Sequence, residues 1–350
     1  MSIAVSYESV AVSSRIRLAR NFADYPFPGR LLTDPHAEEQ AREIVQLISA
    51  ELNAIEKFKL YDIGSMTDEH AEFLVERHLI SRDLLRHRRI SAALVSEDES
   101  ISVMLNEEDH IREQYFMKGF DLQKAYERLS GIDDVIGDSI PFAYDEMFGY
   151  LTACPTNLGT GLRASVMLFL PAISRRGMLK AAAPILAKQG LTMRGAYGEG
   201  SEAEGDLFQI SNETTLGMSE LGILAQVEDF VSKITEMELR ERGRMKAEGG
   251  IALKDSIFRS YGILMNCCKI DLKEFMRRTA DVKLGIALGY FEGVLPKLRE
   301  KRMEQIDDLI VAMRPANIRR LNRAVRDGES EDVFRASFAA AELAKLKLLP

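Results

Sequence analysis

The sequence predicts an α+β fold followed by a region that is almost entirely helical, and three observations carry this prediction. The segment from Glu8 to Leu18 alternates as a half-buried strand does. Ile90 to Val95 and Ile101 to Leu105 are apolar runs joined by an acidic turn, which indicates a β-hairpin. From Ser219 onward, apolar residues recur at helical spacing, so the strands belong to the first part of the chain.

Helical patterns lie between the strands. Asp34 and Pro35 open the first, and a second is expected from Thr67 to Arg86. A third is expected from Asp121 to Leu129, with a polar connection from Gly131 to Ser139. The expected inward residues of the first two helices are Ala41, Ile44, Val45, Ile48, Leu52, Phe73, Ile80 and Leu84.

Later elements follow the same reasoning. Ser165 to Leu170 is expected to be a buried strand, Met178 to Lys188 a short helix, and Leu191 to Arg194 the end of a strand. The helix that starts at Ser219 is expected to end near Gly249 and Gly250. The domain boundary is therefore placed there, with a first domain over residues 1–248 and a helical C-terminal domain over residues 249–350.

Composition limits the possible functions. The chain has 350 residues, is 46% hydrophobic and carries a formal charge of −8, which fits a globular protein of about two domains. The negative charge argues against broad, direct nucleic-acid binding. No stretch resembles a signal peptide or a membrane span, and only three cysteines occur, so a cytoplasmic location is expected. The adjacent pair Cys267 and Cys268 is interpreted as core packing.

The segment Thr152–Arg163 has the features of an active-site loop. Cys154 precedes a proline, and Gly159 and Gly161 let the main chain approach another group closely. Arg163 can offer a guanidinium fork to phosphate or carboxylate. The alternative is an inert, buried cysteine followed by an ordinary turn.

Two further clusters carry charge. Arg15 and Arg17 are two residues apart on a strand and therefore project from the same face, where the alternative is a solvated strand surface. The run Asn106–Arg112 places three consecutive carboxylates beside an imidazole and an arginine. These carboxylates could align a basic substrate group or bind magnesium through water, or they could form a charged surface turn.

One segment has the composition of a mobile loop. Residues Gly195–Gly205 contain four glycines and three glutamates, a composition suited to a loop that closes over a ligand. A disordered hairpin tip is the alternative.

Four ordered motifs resemble those of the phosphagen (guanidino) kinases. The motifs are Ser13–Arg17, Asn106–Arg112, Cys154–Arg163, and the stretch from Arg194 through Glu199 to Asn212. The bacterial branch, the protein arginine kinases, is the most similar form. The resemblance implies an antiparallel sheet flanked by helices, followed by a helical C-terminal domain that dimerises the chain.

The resemblance also implies site residues and an activity, the ATP-dependent phosphorylation of arginine residues in proteins. It implies a cage of arginines around the phosphates of ATP, with Mg²⁺ bridging the phosphates and Glu107 as an outer-shell partner. It places Glu108, Glu199 and Cys154, the last as a thiolate, beside the acceptor guanidinium. The implied cage residues are Arg15, Arg17, Arg112, Arg163 and Arg194.

The chemistry of the acceptor agrees with these roles. An arginine guanidinium is cationic, has a pKa above about 12 and is a poor nucleophile. Two carboxylates can orient it, and one can remove a proton as the nitrogen attacks phosphorus. Glu108 is assigned the role of base and Glu199 that of a clamp.

Two other functions remain open. A small-molecule guanidino kinase, of the arginine or creatine kinase type, would share the cage. The animal enzymes, however, begin with an additional helical domain, whereas the first arginine motif here starts at Ser13, so an open acceptor pocket is expected. A non-catalytic adaptor that binds phosphoarginine would lack some of the chemical groups, all of which are present.

The C-terminal region carries a last motif. Glu331–Ala336 resembles the phosphoarginine-binding motif of protein arginine kinases, with Asp332 and Arg335 matching and Glu331 in place of an arginine. An exposed helix with a weak ion pair is the alternative. Family membership further implies a role in stress-related protein quality control. The implied partners are a zinc-binding activator protein, a heat-shock transcriptional repressor and a Clp protease.

Overall fold

The computed structural model describes residues 9–31, 37–195, 204–291, 296–325 and 327–349. Its centre is an eight-stranded antiparallel sheet in the order β2-β3-β4-β5-β1-β8-β10-β9. A two-stranded ribbon, β6-β7, lies apart from it. The strands are β1 (Ala11–Arg20), β2 (Phe58–Asp62), β3 (Ala92–Ser96), β4 (Ile101–Leu105), β5 (Ile111–Lys118), β6 (Tyr144–Asp145), β7 (Gly149–Tyr150), β8 (Leu162–Phe169), β9 (Leu191–Gly195) and β10 (Leu207–Asn212).

Helices cover one face of the sheet, pack on part of the other face at β3 and β4, and form most of the C-terminal region. They are α1 (Pro28–Leu31), α2 (Ala37–Ile55), α3 (Asp68–Glu76), α4 (Leu122–Ser139), α5 (Pro171–Arg175), α6 (Leu179–Lys188), α7 (Glu220–Asn266), α8 (Leu272–Leu288), α9 (Pro296–Ala312), α10 (Pro315–Leu321) and α11 (Gly328–Leu343). The expected antiparallel sheet flanked by helices, with a helical C-terminal region, is confirmed.

The two faces of the sheet differ in chemistry because strand residues alternate between them. In β1, Ile16 and Leu18 are completely buried against the main core, which α2, α4 and the first half of α7 complete. Arg15 and Arg17 alternate with them and project from the opposite face. At β1 the sheet therefore buries one apolar face and leaves a polar face for other uses, whereas β3 and β4 are buried on both faces.

A second core organises the C-terminal region. It joins the second half of α7 to α8, α9, α10 and α11, and it includes Phe169 and Leu207 from the ends of β8 and β10. Helix α7 begins at the N-cap Ser219, whose hydroxyl accepts from the Gly222 amide at 3.2 Å. The first helical stretch of α7 ends near Gly249, as expected, because Gly250 has a non-helical backbone with φ of 47° and ψ of −133°; a second stretch continues from this break to Asn266.

Two helix boundaries differ from the sequence-based expectation. The helix expected from Thr67 to Arg86 stops at Glu76, because His78 adopts a left-handed backbone with φ of 60° and turns the chain. The polar connection expected from Gly131 to Ser139 is wrong. Helix α4 continues through it, since Ile132 and Ile136 are buried in the main core and extend its apolar face.

The hairpin β3-β4 and the helices starting near residues 37 and 179 lie where they are expected. Asp34 and Pro35 lie outside the described residues. None of the helices in the described ranges is long and apolar enough to cross a membrane.

Candidate active site

The register of the sheet places arginines from neighbouring strands side by side. Arg17 of β1 lies directly opposite Arg163 of β8, and Ala19 of β1 lies opposite Arg112 of β5. Directly opposed residues of an antiparallel pair project from the same face, as do residues two apart on one strand. Arg15, Arg17, Arg112 and Arg163 therefore share the polar face.

Arg194 lies on the same face, two strands further along. Ser165 opposes Ser211, and Gln209 opposes Arg194. The side chains of these residues on β8, β10 and β9 therefore project from the same face of the sheet. At about 4.8 Å per strand, the axes of β8 and β9 are about 10 Å apart. Arg194 forms an ion pair with Glu213 at 3.7 Å.

Electrostatics show that the four central arginines interact. Burial, together with the positive charges of Arg112 and Arg163, lowers the pKa of Arg15 to about 10. Burial and the same kind of repulsion lower the pKa of Arg17 well below its usual value, with Glu107 opposing the shift. Arg17 Nε is buried with no hydrogen-bond partner in the described part of the chain. A cluster of this kind fits a polyanion such as a triphosphate, because the anion would supply the missing negative charge.

Two neighbours hold the arginine forks in place. The Arg163 Nη2 atom donates to the Ser211 hydroxyl at 3.1 Å. The Arg112 Nη1 atom donates to Glu107 Oε2 at 2.7 Å, and the other Glu107 oxygen accepts from the Ser81 hydroxyl. Glu107 is almost fully buried, with 2% of its side chain exposed, so it fixes Arg112 from within the protein.

Glu108, the next residue in the chain, is exposed, in contrast to the buried Glu107. The Glu108 side chain is exposed and lines a cleft of about 440 Å³ with Phe27, Asp83, His87 and Ala153. Partial desolvation in the cleft raises the pKa of Glu108, and the neighbouring carboxylates of Asp109 and Glu107 raise it further. A carboxylate with a raised pKa is a stronger base than an ordinary glutamate.

Asp109 joins the acidic turn to the cysteine loop, a link that no local sequence pattern predicts. Its Oδ1 atom accepts from Asn21 Nδ2 at 2.6 Å and from the Ala153 amide at 2.7 Å. Asn21 also donates to the carbonyl of Leu151 at 3.0 Å. Asp109 thereby fixes the segment that carries Cys154 relative to Glu108. Only the tertiary structure reveals this link, since the partners are distant in sequence.

Cys154 is half-buried, and its Sγ atom lies 3.0 Å from the Thr156 hydroxyl. The loop behind it is anchored by the Thr215 hydroxyl, which donates to the carbonyls of Thr156 and Leu158 at 2.9 and 2.6 Å. The loop thus has a defined path from Cys154 into β8.

The two loop glycines are required for that path. Gly159 has φ of 110°, and a Cβ atom there would lie 2.6 Å from the Thr215 carbonyl oxygen. Gly161 has φ of 63°, and a Cβ atom would lie 2.5 Å from the Ala19 carbonyl oxygen. The close approach expected of both glycines is confirmed, and the group approached is the protein's own backbone.

His110 has a structural role. Its Nδ1 atom accepts from the Phe22 amide at 3.2 Å, and its Nε2 atom donates to the Pro26 carbonyl at 3.0 Å. Burial lowers its pKa to about 4, so the ring is neutral near neutral pH and both nitrogens are engaged.

Two other predicted site features belong to the glycine-rich loop and to α11. Glu199 and most of the glycine-rich loop lie in residues 196–203, outside the described residues. In α11, the Arg335 side chain is 1% exposed and donates to the carbonyls of Met313 and Ile270, both at 2.9 Å, and to Asp332 at 2.5 Å. Glu331 accepts from Arg319 Nε at 2.8 Å. These contacts give Arg335 and Glu331 structural roles in the helical region.

Direct metal ligands are not assembled here. Within the described ranges, no group of three or more His, Cys, Asp or Glu side chains is placed to hold a metal ion. Glu107 retains acceptor capacity beyond its bonds to Ser81 and Arg112, because each carboxylate oxygen has two lone pairs. The residues therefore fit a magnesium ion held by phosphate oxygens and water.

Comparisons with known proteins agree with this site. Residues 40–241 match the family described as "ATP:guanido phosphotransferase, C-terminal catalytic domain". Residues 250–348 match the one described as "Protein-arginine kinase McsB C-terminal domain".

Relatives named protein-arginine kinase align over nearly the whole chain. The one from Caldanaerobacter subterraneus subsp. tengcongensis is 38% identical over 97% of this chain and 98% of its own length. The one from Geobacillus stearothermophilus is 40% identical over 95% of this chain and 90% of its own.

Solved structures extend the likeness to guanidino kinases. The substrate-free duplicated taurocyamine kinase from Schistosoma mansoni is 29% identical, with a TM-score of 0.59 over 70% of this chain and 36% of the duplicated chain. Lombricine kinase is 26% identical, with a TM-score of 0.57 over 66% of this chain and 67% of its own. The expected relationship is confirmed: the chain belongs to the ATP:guanido phosphotransferase family, in the branch of the protein-arginine kinases.

Proposed function

We propose that this protein is an ATP-dependent kinase that phosphorylates the guanidinium group of arginine residues in other proteins. The observation that carries the proposal is the cluster of Arg15, Arg17, Arg112 and Arg163, whose positive charges lie together on one sheet face. Such a cluster supplies the binding energy for a triphosphate. The identity of the phosphoryl acceptor, arginine in proteins, is inferred from the names of the family and of the aligned relatives.

The arginines bind and orient the phosphates of ATP. Arg17 and Arg163 are directly opposed on the adjacent strands β1 and β8, so their guanidinium forks can hold the same phosphoryl group. Because guanidinium groups stay charged, they also stabilise the negative charge that spreads over the transferred phosphoryl group. Arg194 completes the cage from β9. Magnesium would neutralise phosphate charge, with Glu107 accepting hydrogen bonds from its water ligands.

Glu108 acts as the general base. As a nitrogen of the acceptor guanidinium forms a bond to the γ-phosphorus, its proton moves to the Glu108 carboxylate. The bond from phosphorus to the bridging oxygen breaks, and its electrons leave with ADP. Glu199 clamps the acceptor, and Cys154 adds an anionic contact beside it. Asp109 acts through Ala153, by holding the cysteine loop in place.

Two features support a protein acceptor over free arginine. The Glu108 side chain is exposed, in a cleft whose rim includes the exposed residues Gly29 and Arg86. The relatives that align over the full length are named protein-arginine kinases. A kinase for a small guanidino compound is the second candidate, because taurocyamine and lombricine kinases share the fold.

A coupled assay of ADP release, run once with free arginine and once with an unfolded protein, separates the two candidate functions. Turnover only with the protein is expected. Turnover only with free arginine would favour the second candidate.

The wider biology follows from the family resemblance. We propose a cytoplasmic protein that acts in stress-related quality control with a zinc-binding activator, a heat-shock repressor and a Clp protease. We further propose a catalytic unit up to residue 248 and a helical unit from residue 249 that forms a homodimer. Phosphoarginine sensing by Asp332 and Arg335 would require a ligand to compete with the carbonyl partners of Arg335.

A further inference from the structure

A second cleft lies at the other end of the arginine face. It has a volume of about 190 Å³ and is bounded by the N-terminal half of β1, by β8 and β10, and by α9 of the C-terminal region. Arg15 lines it, so it is continuous with the arginine cluster. Apolar side chains, among them Met167, Leu207 and Ile310, form much of its remaining wall, and Ser13, His78 and Gln209 add polar groups.

The direction of β1 relates this cleft to the reaction. Glu108 lies near the C-terminal end of β1, where Ala19 opposes Arg112, and Ser13 lines the second cleft near the other end. The six residue steps from Ala19 to Ser13 span about 20 Å. A nucleotide whose terminal phosphate faces Glu108 and whose phosphates contact Arg17 and Arg15 would therefore place its base in the second cleft.

One carboxylate from the C-terminal region faces this space. Asp307 of α9 lines the cleft with 19% of its side chain exposed, and its Oδ2 atom accepts from Lys283 Nζ at 2.6 Å. Oδ1 accepts from the same ammonium group. Lys283 itself is 2% exposed and lies over the Phe169 ring, 4.6 Å from its centroid. Since each carboxylate oxygen has two lone pairs, Asp307 keeps acceptor capacity directed away from the lysine.

We propose that Asp307 reads the nucleotide base by accepting a hydrogen bond from the exocyclic amino group of adenine, with Lys283 as its positioning residue. The inference rests on the proposed function, because it assumes that ATP is the phosphoryl donor. It adds that the helical C-terminal region contributes a side chain to the nucleotide site. Binding of ATP then joins the catalytic sheet to α9 through the base.

The chemistry of the pair explains its composition. A lone buried carboxylate would be costly, and the buried lysine offsets its charge. The apolar wall suits the faces of a purine ring, and the carboxylate supplies one directional contact at its edge. A hydrogen bond to a charged acceptor is strong enough to account for about tenfold or more in affinity.

The test is a thermodynamic cycle in which the 6-amino group of the nucleotide and the Asp307 carboxylate are removed separately and together. Binding of ATP and of purine riboside triphosphate, which lacks the 6-amino group, is measured by calorimetry on the full chain. With the unsubstituted protein we expect the loss of the amino group to weaken binding about tenfold or more. In Asp307→Asn the amide oxygen stays with Lys283 and the amide N–H faces the cleft, so both nucleotides should bind with similar affinity.

Two further variants test whether the preference for ATP depends on the Asp307 carboxylate itself or on the general structure around it. Asp307→Leu combined with Lys283→Met replaces the buried pair by apolar side chains of similar size, and it should also bind both nucleotides alike. Asp308→Asn changes the adjacent exposed carboxylate, which pairs with Lys118, and it should keep the full preference for ATP.

The inference would be overturned if the ratio of the affinities for ATP and purine riboside triphosphate were the same in the unsubstituted protein and in both Asp307 variants. The proposed function would then remain intact. Failure of the unsubstituted protein to bind ATP at all would instead contradict the proposed function, and the inference with it.

Discussion

Arg17 and Arg163 are directly opposed residues of β1 and β8, and their side chains share one face of the sheet. They are distant in sequence, so this pairing exists only in the folded chain. Around them, Arg15 and Arg112 add two more positive charges within interaction distance. The fold therefore builds the phosphate site from the strands of the sheet, on the face opposite the main core.

The guanidinium fork of Arg163 can be tested by a substitution that keeps the charge. We expect Arg163→Lys to lower kcat/KM by about 100-fold, because an ammonium group cannot bind two phosphate oxygens and the Ser211 hydroxyl in one plane. Steady-state kinetics with varied ATP provide the measurement. Arg259→Lys, at an exposed arginine of α7, is the control and should be neutral. Near-normal kinetics of Arg163→Lys would place this residue outside the cage.

Glu108→Gln tests the general base. The variant should lose at least about 100-fold in kcat while its affinity for ATP stays within a few-fold, because the arginines are untouched. Asp83→Asn, which alters another carboxylate of the same cleft, should retain most of the activity. An equal loss of ATP affinity and turnover in Glu108→Gln would show that Glu108 serves nucleotide binding instead.

Cys154 can be tested by its chemical reactivity. If it is an anionic contact for the acceptor, iodoacetamide should modify it faster than Cys267 or Cys268 near neutral pH, and ATP should slow the reaction. Cys154→Ser should reduce turnover more than nucleotide affinity, whereas Cys268→Ser should have no effect. An unreactive Cys154 together with a fully active serine variant would assign this residue to packing alone.

A buried carboxyl beneath the arginine face predicts a pH dependence of stability. Glu113 is completely buried in β5, and burial, with the nearby Asp133 carboxylate, raises its pKa well above the ordinary 4.5. Folding therefore requires proton uptake by Glu113 once the pH exceeds the unfolded pKa. Its contribution to the free energy of unfolding is complete below about pH 4.5 and is lost as the pH rises through the folded pKa.

Glu113→Gln removes this requirement because the amide resembles the protonated acid. We expect the variant to be more stable than the unsubstituted protein by about 1 kcal/mol or more at neutral pH, with the difference shrinking towards pH 4. Urea unfolding at several pH values provides the measurement. Glu97→Gln, at an exposed carboxylate, should show no such trend. A difference that does not vary with pH would contradict the buried, protonated state of Glu113.

Local patterns predicted much of this structure. The two-residue spacing of Arg15 and Arg17 was enough to place both on one face, because strand geometry is local. The hairpin β3-β4 and the N-cap Ser219 are also local features. The end of α3 was not predictable in the same way, since it depends on the left-handed backbone of His78.

Features that depend on distant contacts required the structure. The position of β1 between β5 and β8 brings Arg112 and Arg163 to it, and no local pattern specifies those neighbours. The hydrogen bond from Ala153 to Asp109 and the approach of Asp307 to the polar face have the same origin. The motif in α11 suggested a ligand site, whereas the burial of Arg335 reveals carbonyl contacts that the sequence does not show.

The central claim is that this protein transfers a phosphoryl group to arginine side chains of other proteins. Mass spectrometry of an arginine-containing model protein, incubated with ATP, Mg²⁺ and the kinase under conditions that preserve acid-labile phosphoramidates, tests it most directly. The account predicts phosphoarginine on the model protein with the unsubstituted kinase and none with Glu108→Gln. Phosphate found only on serine, threonine or tyrosine, or on free arginine but never on the protein, would contradict it.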